Sequence, residues 1–378
     1  MLISNLLWKV FALLGAVLFA LTPVGFQGRE KLAADRQSQQ SYLAALRESY
    51  ANGSFAPVDE ASFFEGDLDA ALQNGMKLNE LQMIATHNSY QTPAVPAMQS
   101  VYGAVDTLSG EHILHDAGHY NAQTLTVQLN GGIRSLELDI EAQRTTDGVT
   151  FTCQHLPNID TATNSYSLEL ALEEIRLWSQ HNPGHLPLTL IIEPKIWILP
   201  SLEMEPFLLQ HMQTLDNLLR RALGSTLYTP RDMLRTYDSF RQMRENDDWP
   251  TVQSLQGKVL VLLHETVLSP LYVSRDKTTR SLTMFPMVRL FARDTDYAAF
   301  VLENDPNKIR KNADALFQKE KLIVRTRADS FGSIDDATRQ SALQSGAQML
   351  STDYPPLKEN EGLPVFSFSG GKTLRPIE

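Results

Sequence analysis

The chain has one cysteine in 378 residues, Cys153, so it cannot form an internal disulfide even in an oxidising compartment. Its stability must come from packing or from a bound metal. Basic residues are also in deficit. The 33 Lys and Arg against 44 Asp and Glu leave a formal net charge of -11, which excludes nucleic-acid binding by phosphate neutralisation and adhesion to an anionic bilayer through bulk charge. Any membrane contact has to be local. No G-x-G-x-x-G follows the first strand-like segment, which argues against a dinucleotide fold. No thiolate cluster suggests zinc, and no short repeat or low-complexity tract stands out.

What is present is a 43% hydrophobic chain, long enough to bury one large α/β domain or two smaller ones. It begins with "MLISNLLWKVFALLGAVLFALTPVGFQG", one early lysine and then a 17-residue apolar-dominated stretch from Val10 to Phe26. That reads as an export signal or a single uncleaved anchor over residues 1–27, placing the protein in the periplasm, in the medium or on the outer side of a membrane. An A-x-A cleavage site is missing. Residues 28–79 read as a linker and peripheral lead-in, and residues 80–378 as the working domain.

From Leu81 onward short apolar runs recur: "LQMIAT", "SLELDIE", "TFTCQH", "PLTLIIEPK", "KVLVLL", "AAFVL", "LIVRTR" and "AQMLSTD". Between them lie segments with apolar residues at i, i+3 and i+4, such as "SLELALEEIRLWSQHN" and "EMEPFLLQHMQTLDNLLRRAL". Strands alternating with helices over this length predict an α/β fold of the TIM type, a (β/α)8 barrel with allowance for an irregular repeat. The long connection from Gln91 to Asn130 would lie over the barrel mouth as a lid or binding loop.

Period-2 alternation in "RSLELDIE" sets Leu136, Leu138 and Ile140 against Glu137, Asp139 and Glu141. With the apolar face packed on helices, the carboxylates face inward, where they need a cation or hydrogen bonds. In "PLTLIIEPK" the same test turns Glu193 and Lys195 inward, where the bland alternative is a plain Glu-Lys ion pair. "FTCQH" ends on His155, with Cys153 expected one layer deeper in the barrel as a buried small hydrophobe. "ATHNSY" ends a strand on His87 and Asn88. Three carboxylates, an Asn and water make an all-oxygen set suited to Ca²⁺, and two histidines remain for acid and base work. Lys195, Arg325 and Arg327 are candidates to bind an anionic phosphate or sugar hydroxyls, and Asp353 has the parity to contact substrate or to tether Arg327. Arg134, of opposite parity to Glu137, reads as structural. His264 either reaches the site or satisfies a core hydrogen bond. A zinc reading of His112, His115 and His119 is weaker than their membership of the mouth loop.

Together "ATHNSY", "QLNGGIRSLELDIE", "TCQHL", "HNPGHLPLTLIIEPK", "VRTRAD" and "GAQMLSTDYP" resemble the phosphatidylinositol-specific phospholipases C, in particular the bacterial calcium-dependent branch, from about Leu81 to Tyr354. The resemblance implies that His87 and His155 are the catalytic histidines and that Asn88, Glu137, Asp139 and Glu193 hold Ca²⁺. It also implies attack of the inositol 2-hydroxyl on phosphorus, releasing diacylglycerol and a cyclic inositol phosphate, with a phospholipid substrate and contact with a membrane surface. Two alternatives stand beside it. A glycerophosphodiester phosphodiesterase shares the barrel but uses water and gives a linear product, and a non-catalytic head-group-binding protein would need no proton shuttle.

Overall fold

A computed structural model describes residues 2–109, 118–146, 148–155, 160–195, 204–205, 209–264, 268–329 and 334–377, with side chains from residue 23 onward except at 109, 204, 205 and 209. Eight strands close into a parallel barrel: β1 (Leu81–Thr86), β2 (Ser135–Thr145), β4 (Leu188–Pro194), β7 (Val259–Leu263), β8 (Phe285–Arg289), β9 (Phe300–Leu302), β10 (Ile323–Arg327) and β11 (Met349–Thr352). Neighbours follow in chain order around the ring, and β1 meets β2 at one register position, Ala85–Ser135. The remaining strands are outside the ring. β3 (Gly148–Cys153) forms an antiparallel hairpin with β2, short β5 (Met204–Glu205) and β6 (Leu227–Tyr228) add to β2 and β7, and β12 (Leu374–Pro376) runs antiparallel to the start of β1.

One of the predicted strands is placed differently, and one barrel strand was not predicted. "TFTCQH" is the return arm of the β2 hairpin, because Thr145 and Gly148 turn the chain back before a helix can form. Cys153 is therefore not inside the barrel. It is buried in the outer cluster with Leu138, Ile140 and the helices, and burial pushes its thiol up, so it stays protonated. The missing barrel strand is β8, "FPMVR". The repeat is irregular there, since among the described residues β8 leads to β9 through a 3-10 turn, Leu290–Ala292, and no α-helix.

Alternation builds two cores. Odd-numbered positions of β1, such as Leu81 and Met83, fill the barrel interior with Ile191, Leu260, Leu262, Phe285, Met287, Phe300, Ile323 and Met349. Ile84, Leu136, Leu138, Leu190, Val261 and Val324 pack outward against the helices. Phe64, Leu68, Met76 and Leu78 of the lead-in join the interior cluster from the end at which β1 begins.

Six helices matter below: α1 (Leu2–Ala51), α2 (Leu68–Gln73), α3 (Pro96–Ser109), α4 (Leu125–Asn130), α5 (Leu168–His181) and α6 (Leu209–Leu223). After α4 the pair Gly131-Gly132 turns into β2. Gly132 has φ +85°, and an added Cβ would stand 2.4 Å from the Phe63 ring, so only glycine fits. Arg134 follows, fully buried over the Trp178 ring at 4.8 Å and paired with Glu60. Among the described residues no helix is long and apolar enough to cross a membrane. The side chains of the predicted signal or anchor lie outside the described residues up to residue 22.

Candidate active site

The inward-facing positions become polar at the ends where the strands finish. β1 delivers His87 and Asn88, β2 delivers Glu137 and Asp139, β4 delivers Glu193 and Lys195, β10 delivers Arg325 and Arg327, and β11 leads to Asp353. His155 follows the hairpin arm β3. These residues thus meet at the C-terminal end of the barrel, where loops rather than core side chains surround them.

Asn88 is held at φ +45°, a left-handed conformation uncommon outside glycine and typical of strained functional positions. Its Nδ2 donates to Gln91 Oε1 at 3.0 Å, so its oxygen is the atom left for a cation. The next residue joins the first two strands of the site. Ser89 N–H donates to Glu137 O at 2.9 Å and Glu137 N–H donates to Ser89 Oγ at 2.8 Å. Gln128 Nε2 donates to Ser89 O at 2.7 Å. The hydroxyl thus continues the β1–β2 pairing where the strands themselves part.

Each histidine carries an aspartate on Nδ1. His87 Nδ1 lies 2.8 Å from Asp353 Oδ1, and its Nε2 faces Glu137 Oε1 at 3.8 Å. Tyr120 OH fixes the His87 carbonyl at 2.8 Å. Burial and the nearby Arg327 guanidinium hold the His87 imidazole well below its ordinary pKa, against the pull of Glu137. His155 Nδ1 lies 3.3 Å from Asp160 Oδ2. Burial opposes its protonation, but the hydrogen bond and charge of Asp160, together with the charge of Asp139, raise its pKa overall. One histidine is pushed toward the neutral form and the other toward the protonated form.

The three carboxylates differ. Glu137 is 2% exposed and paired with Arg325. Burial works against its ionisation, but Arg325, His87 and His264 outweigh it and hold the carboxyl at about 2. Glu193 is also held at about 2, where His264 and Lys195 overcome burial. Asp139 receives Lys195 Nζ at 2.8 Å and Tyr90 OH at 3.0 Å, both on Oδ2. Burial, with repulsion from Glu193, raises it to about 6 against the attraction of Lys195. Glu141, one step further along the same face, is fully buried with no partner on either oxygen, and burial pushes it up to about 9.

The residues fit the cation that the sequence implies. Asp139 Oδ1 is buried and has no hydrogen-bond partner, an arrangement that costs free energy unless something positive meets it. Glu137, Glu193 and His264 each present a ligand atom within 4.8 Å of the others. A donor set of carboxylates with the Asn88 oxygen is the chemistry of a hard divalent ion. Lys195 Nζ, 2.8 Å and 2.9 Å from Asp139 and Glu193, neutralises the same group of oxygens.

Some residues stand differently from expectation. Arg325 is 1% exposed, bonded to Glu137, to Ser351 Oγ at 3.0 Å and to Asn304. This makes it the counter-ion beneath Glu137, not a residue open to a substrate phosphate. Arg327 Nη2 is 3.0 Å from His87 Nδ1 and 3.8 Å from Asp353. Asp353 is oriented toward His87 more closely than toward Arg327. His264 was left open by the sequence and belongs to the site, 3.7 Å from Glu193. The parity of Leu260, Leu262 and His264 carries that signal. Asp160 and Tyr90 were missed, and nothing in their local pattern marks them. Of the proposed zinc histidines, His112 and His115 lie outside the described residues.

A family model described as Phosphoinositide phospholipase C, Ca²⁺-dependent, matches residues 76–151 and 143–376. Among solved structures, the chain is similar to a calcium-dependent phosphoinositol-specific phospholipase C from the Gram-negative bacterium Pseudomonas sp. in its myo-inositol complex. That match has 20% identity, TM-score 0.54, and coverage of 85% of this chain and 99% of that one. An apo form of the same enzyme matches at 19% and TM-score 0.53, covering 84% and 98%. A Ca²⁺-dependent phosphatidylinositol-specific phospholipase C from Streptomyces antibioticus matches at 17% and TM-score 0.52, covering 80% and 99%. A comparison with curated proteins finds no match.

Proposed function

Because the chain belongs to the Ca²⁺-dependent phosphoinositide phospholipase C family, we propose that its barrel mouth cleaves the glycerol–phosphate bond of phosphatidylinositol or a related inositol phosphodiester by internal attack of the 2-hydroxyl. The products are diacylglycerol and a cyclic inositol phosphate. The observation that carries this reading is the pair of histidines, each with an aspartate on Nδ1, flanking one set of carboxylates.

Asn88, Glu137, Asp139 and Glu193 would hold the Ca²⁺. Bound there, the ion supplies Lewis acidity for the attacking hydroxyl and for charge that builds on phosphorus. The rest is done by the chain. His87, held neutral with Nδ1 toward Asp353, presents Nε2 to take the proton of the 2-hydroxyl. His155, whose protonated form Asp160 favours, donates to the departing glycerol oxygen. Because nucleophile and phosphorus belong to one molecule, the residues need only orient them. Lys195 and Arg327 supply positive charge beside the phosphate, while Arg325 keeps Glu137 ionised from beneath.

We further propose that residues 80–378 form the catalytic domain, that the protein works outside the cytoplasm, and that it meets its substrate at a membrane surface. The test is turnover of phosphatidylinositol vesicles with Ca²⁺ or with a chelator, followed by phosphorus NMR. Calcium-dependent cyclic product that disappears in Asn88→Ala supports the assignment. A linear product would assign the site to a water-using phosphodiesterase instead.

A further inference from the structure

Helix α1 is not a detached leader. Val24 is fully buried in a small cluster with Ala94, Val95 and Met98, in the segment that follows β1. Gln27 Oε1 accepts from Ala97 N–H at 3.0 Å, and the Gly28 carbonyl accepts from Thr161 Oγ1 at 3.3 Å. Asp35 Oδ2 accepts from Thr163 N–H at 3.0 Å. Further along, Gln39 exchanges hydrogen bonds with the backbone of Ser167, Arg47 pairs with Glu173, and Tyr50 stacks on His181 with centroids 3.9 Å apart.

The order of these contacts gives the helix a direction. Residues 24–35 touch the segments that follow β1 and β3 at the catalytic end, while Tyr50 meets the last turn of α5 at the opposite end. The first half of α1 therefore continues past the catalytic rim. Tyr102 of α3, packed with the Val24 cluster, reaches Asp160 Oδ2 at 3.4 Å, so the place where α1 leaves the barrel is one residue removed from the partner of His155. Phe26 of α1, and Val105 and Leu108 of α3, the helix that packs on α1, are 58%, 43% and 83% exposed, apolar area left in water where the apolar stretch Val10–Phe26 meets the barrel.

We propose that the first half of α1 is retained and inserts into a lipid bilayer, so that α1 holds the catalytic end of the barrel against the membrane, with Phe26, Val105 and Leu108 at the interface. Removing residues 1–27 as a signal would take away Val24 and Gln27, expose Ala94, Val95 and Met98, and leave the Ala97 amide without its acceptor. The 14 residues from Val10 to Pro23, those ahead of the docked Val24, measure about 21 Å as a helix, enough to enter a hydrocarbon core of roughly 30 Å. The occupant is a bilayer and not a protein partner, because Phe26 itself belongs to that apolar stretch and α3, which carries Val105 and Leu108, packs on α1. That the membrane also delivers the substrate rests on the reading of the site given above; the docking itself does not.

The test uses the full chain with vesicles of phosphatidylcholine alone, which offer no inositol lipid. We expect flotation with the vesicles in high salt and in chelator, release by detergent, and an N-terminus that begins before Val24. Leu13→Lys combined with Leu18→Lys should stay in solution while melting at the same temperature. Because Cys153 is fully buried, single labels can be placed elsewhere. A probe on Leu108→Cys should be quenched by shallow lipid quenchers, and one on Gln253→Cys, in the turn before β7 at the far end, should not. A chain that remains in solution, an N-terminus after Phe26, or stronger quenching at Gln253→Cys would each overturn the proposal. Failure of phosphatidylinositol turnover with flotation intact would count against the substrate reading alone.

Discussion

The division of labour between the two histidines can be tested by changing the leaving group. Glycerol is a poor one, so its departure needs a proton, whereas nitrophenolate leaves without help. With His155 as the acid, His155→Ala should lose about 10²- to 10⁴-fold in kcat/KM on phosphatidylinositol, about 2.7–5.4 kcal/mol of transition-state stabilisation. On the nitrophenyl ester of the same inositol phosphate the loss should shrink to within about tenfold. His87→Ala acts on the nucleophile and should lose a comparable amount on both substrates. Asp160→Asn adds a second reading. The His155 pKa is raised by the Asp160 hydrogen bond at 3.3 Å, so removing that charge lowers it, and a general acid is lost as pH climbs through its pKa. The alkaline limb of the rate profile should therefore move to lower pH in Asp160→Asn. Stopped assays on both substrates over pH 5–9 decide the matter. Equal losses of His155→Ala on the two leaving groups would refute the assignment.

Asp139 loses its proton at about 6 in the free protein, and a cation takes only the carboxylate, so calcium affinity should fall by about tenfold per pH unit below 6 and level off above it. Titration calorimetry in buffers of different ionisation enthalpy measures the released proton. Glu137→Gln should abolish calcium binding and, by leaving the buried Arg325 without its counter-charge, cost about 3–5 kcal/mol in urea unfolding; an unchanged midpoint would show that the pair is not worth its burial. Gly132→Ala should cost on the order of 3 kcal/mol, since a Cβ meets Phe63 and the φ of +85° is unfavourable, which a thermal melt will show.

Much of the barrel was legible because most of its strands alternate cleanly. "RSLELDIE" and "PLTLIIEPK" put carboxylates on one face and leucines on the other, and both faces lie where that pattern sets them. "FPMVR" escaped notice because Phe285 and Met287 face the barrel interior while Pro286 interrupts the apolar run. The hairpin was misread because its parity resembles that of a barrel strand and only the turn at Thr145 to Gly148 tells them apart. The supporting shell was the least visible part. Asp160 reaches His155 only because the loop after β3 folds back, and Tyr90 reaches Asp139 across the β1–β2 boundary. Such contacts depend on tertiary placement and leave no period in the chain. The charge balance is legible only in part, since the Glu193–Lys195 pair follows from the sequence while the pairing of Arg325 with Glu137 does not.

The Ser89 hydroxyl joins the strand that carries His87 and Asn88 to the strand that carries Glu137 and Asp139. The two strands otherwise pair at one position, Ala85–Ser135. This gives the site a built-in reporter. The amides of Ser89 and Glu137 exchange hydrogen with solvent only when that clasp opens, so their protection factors record how often the two halves of the site separate. Comparing those two amides with the Ile191 amide, inside the continuous β4 ladder, would separate local opening of the catalytic seam from unfolding of the barrel, without any substrate present.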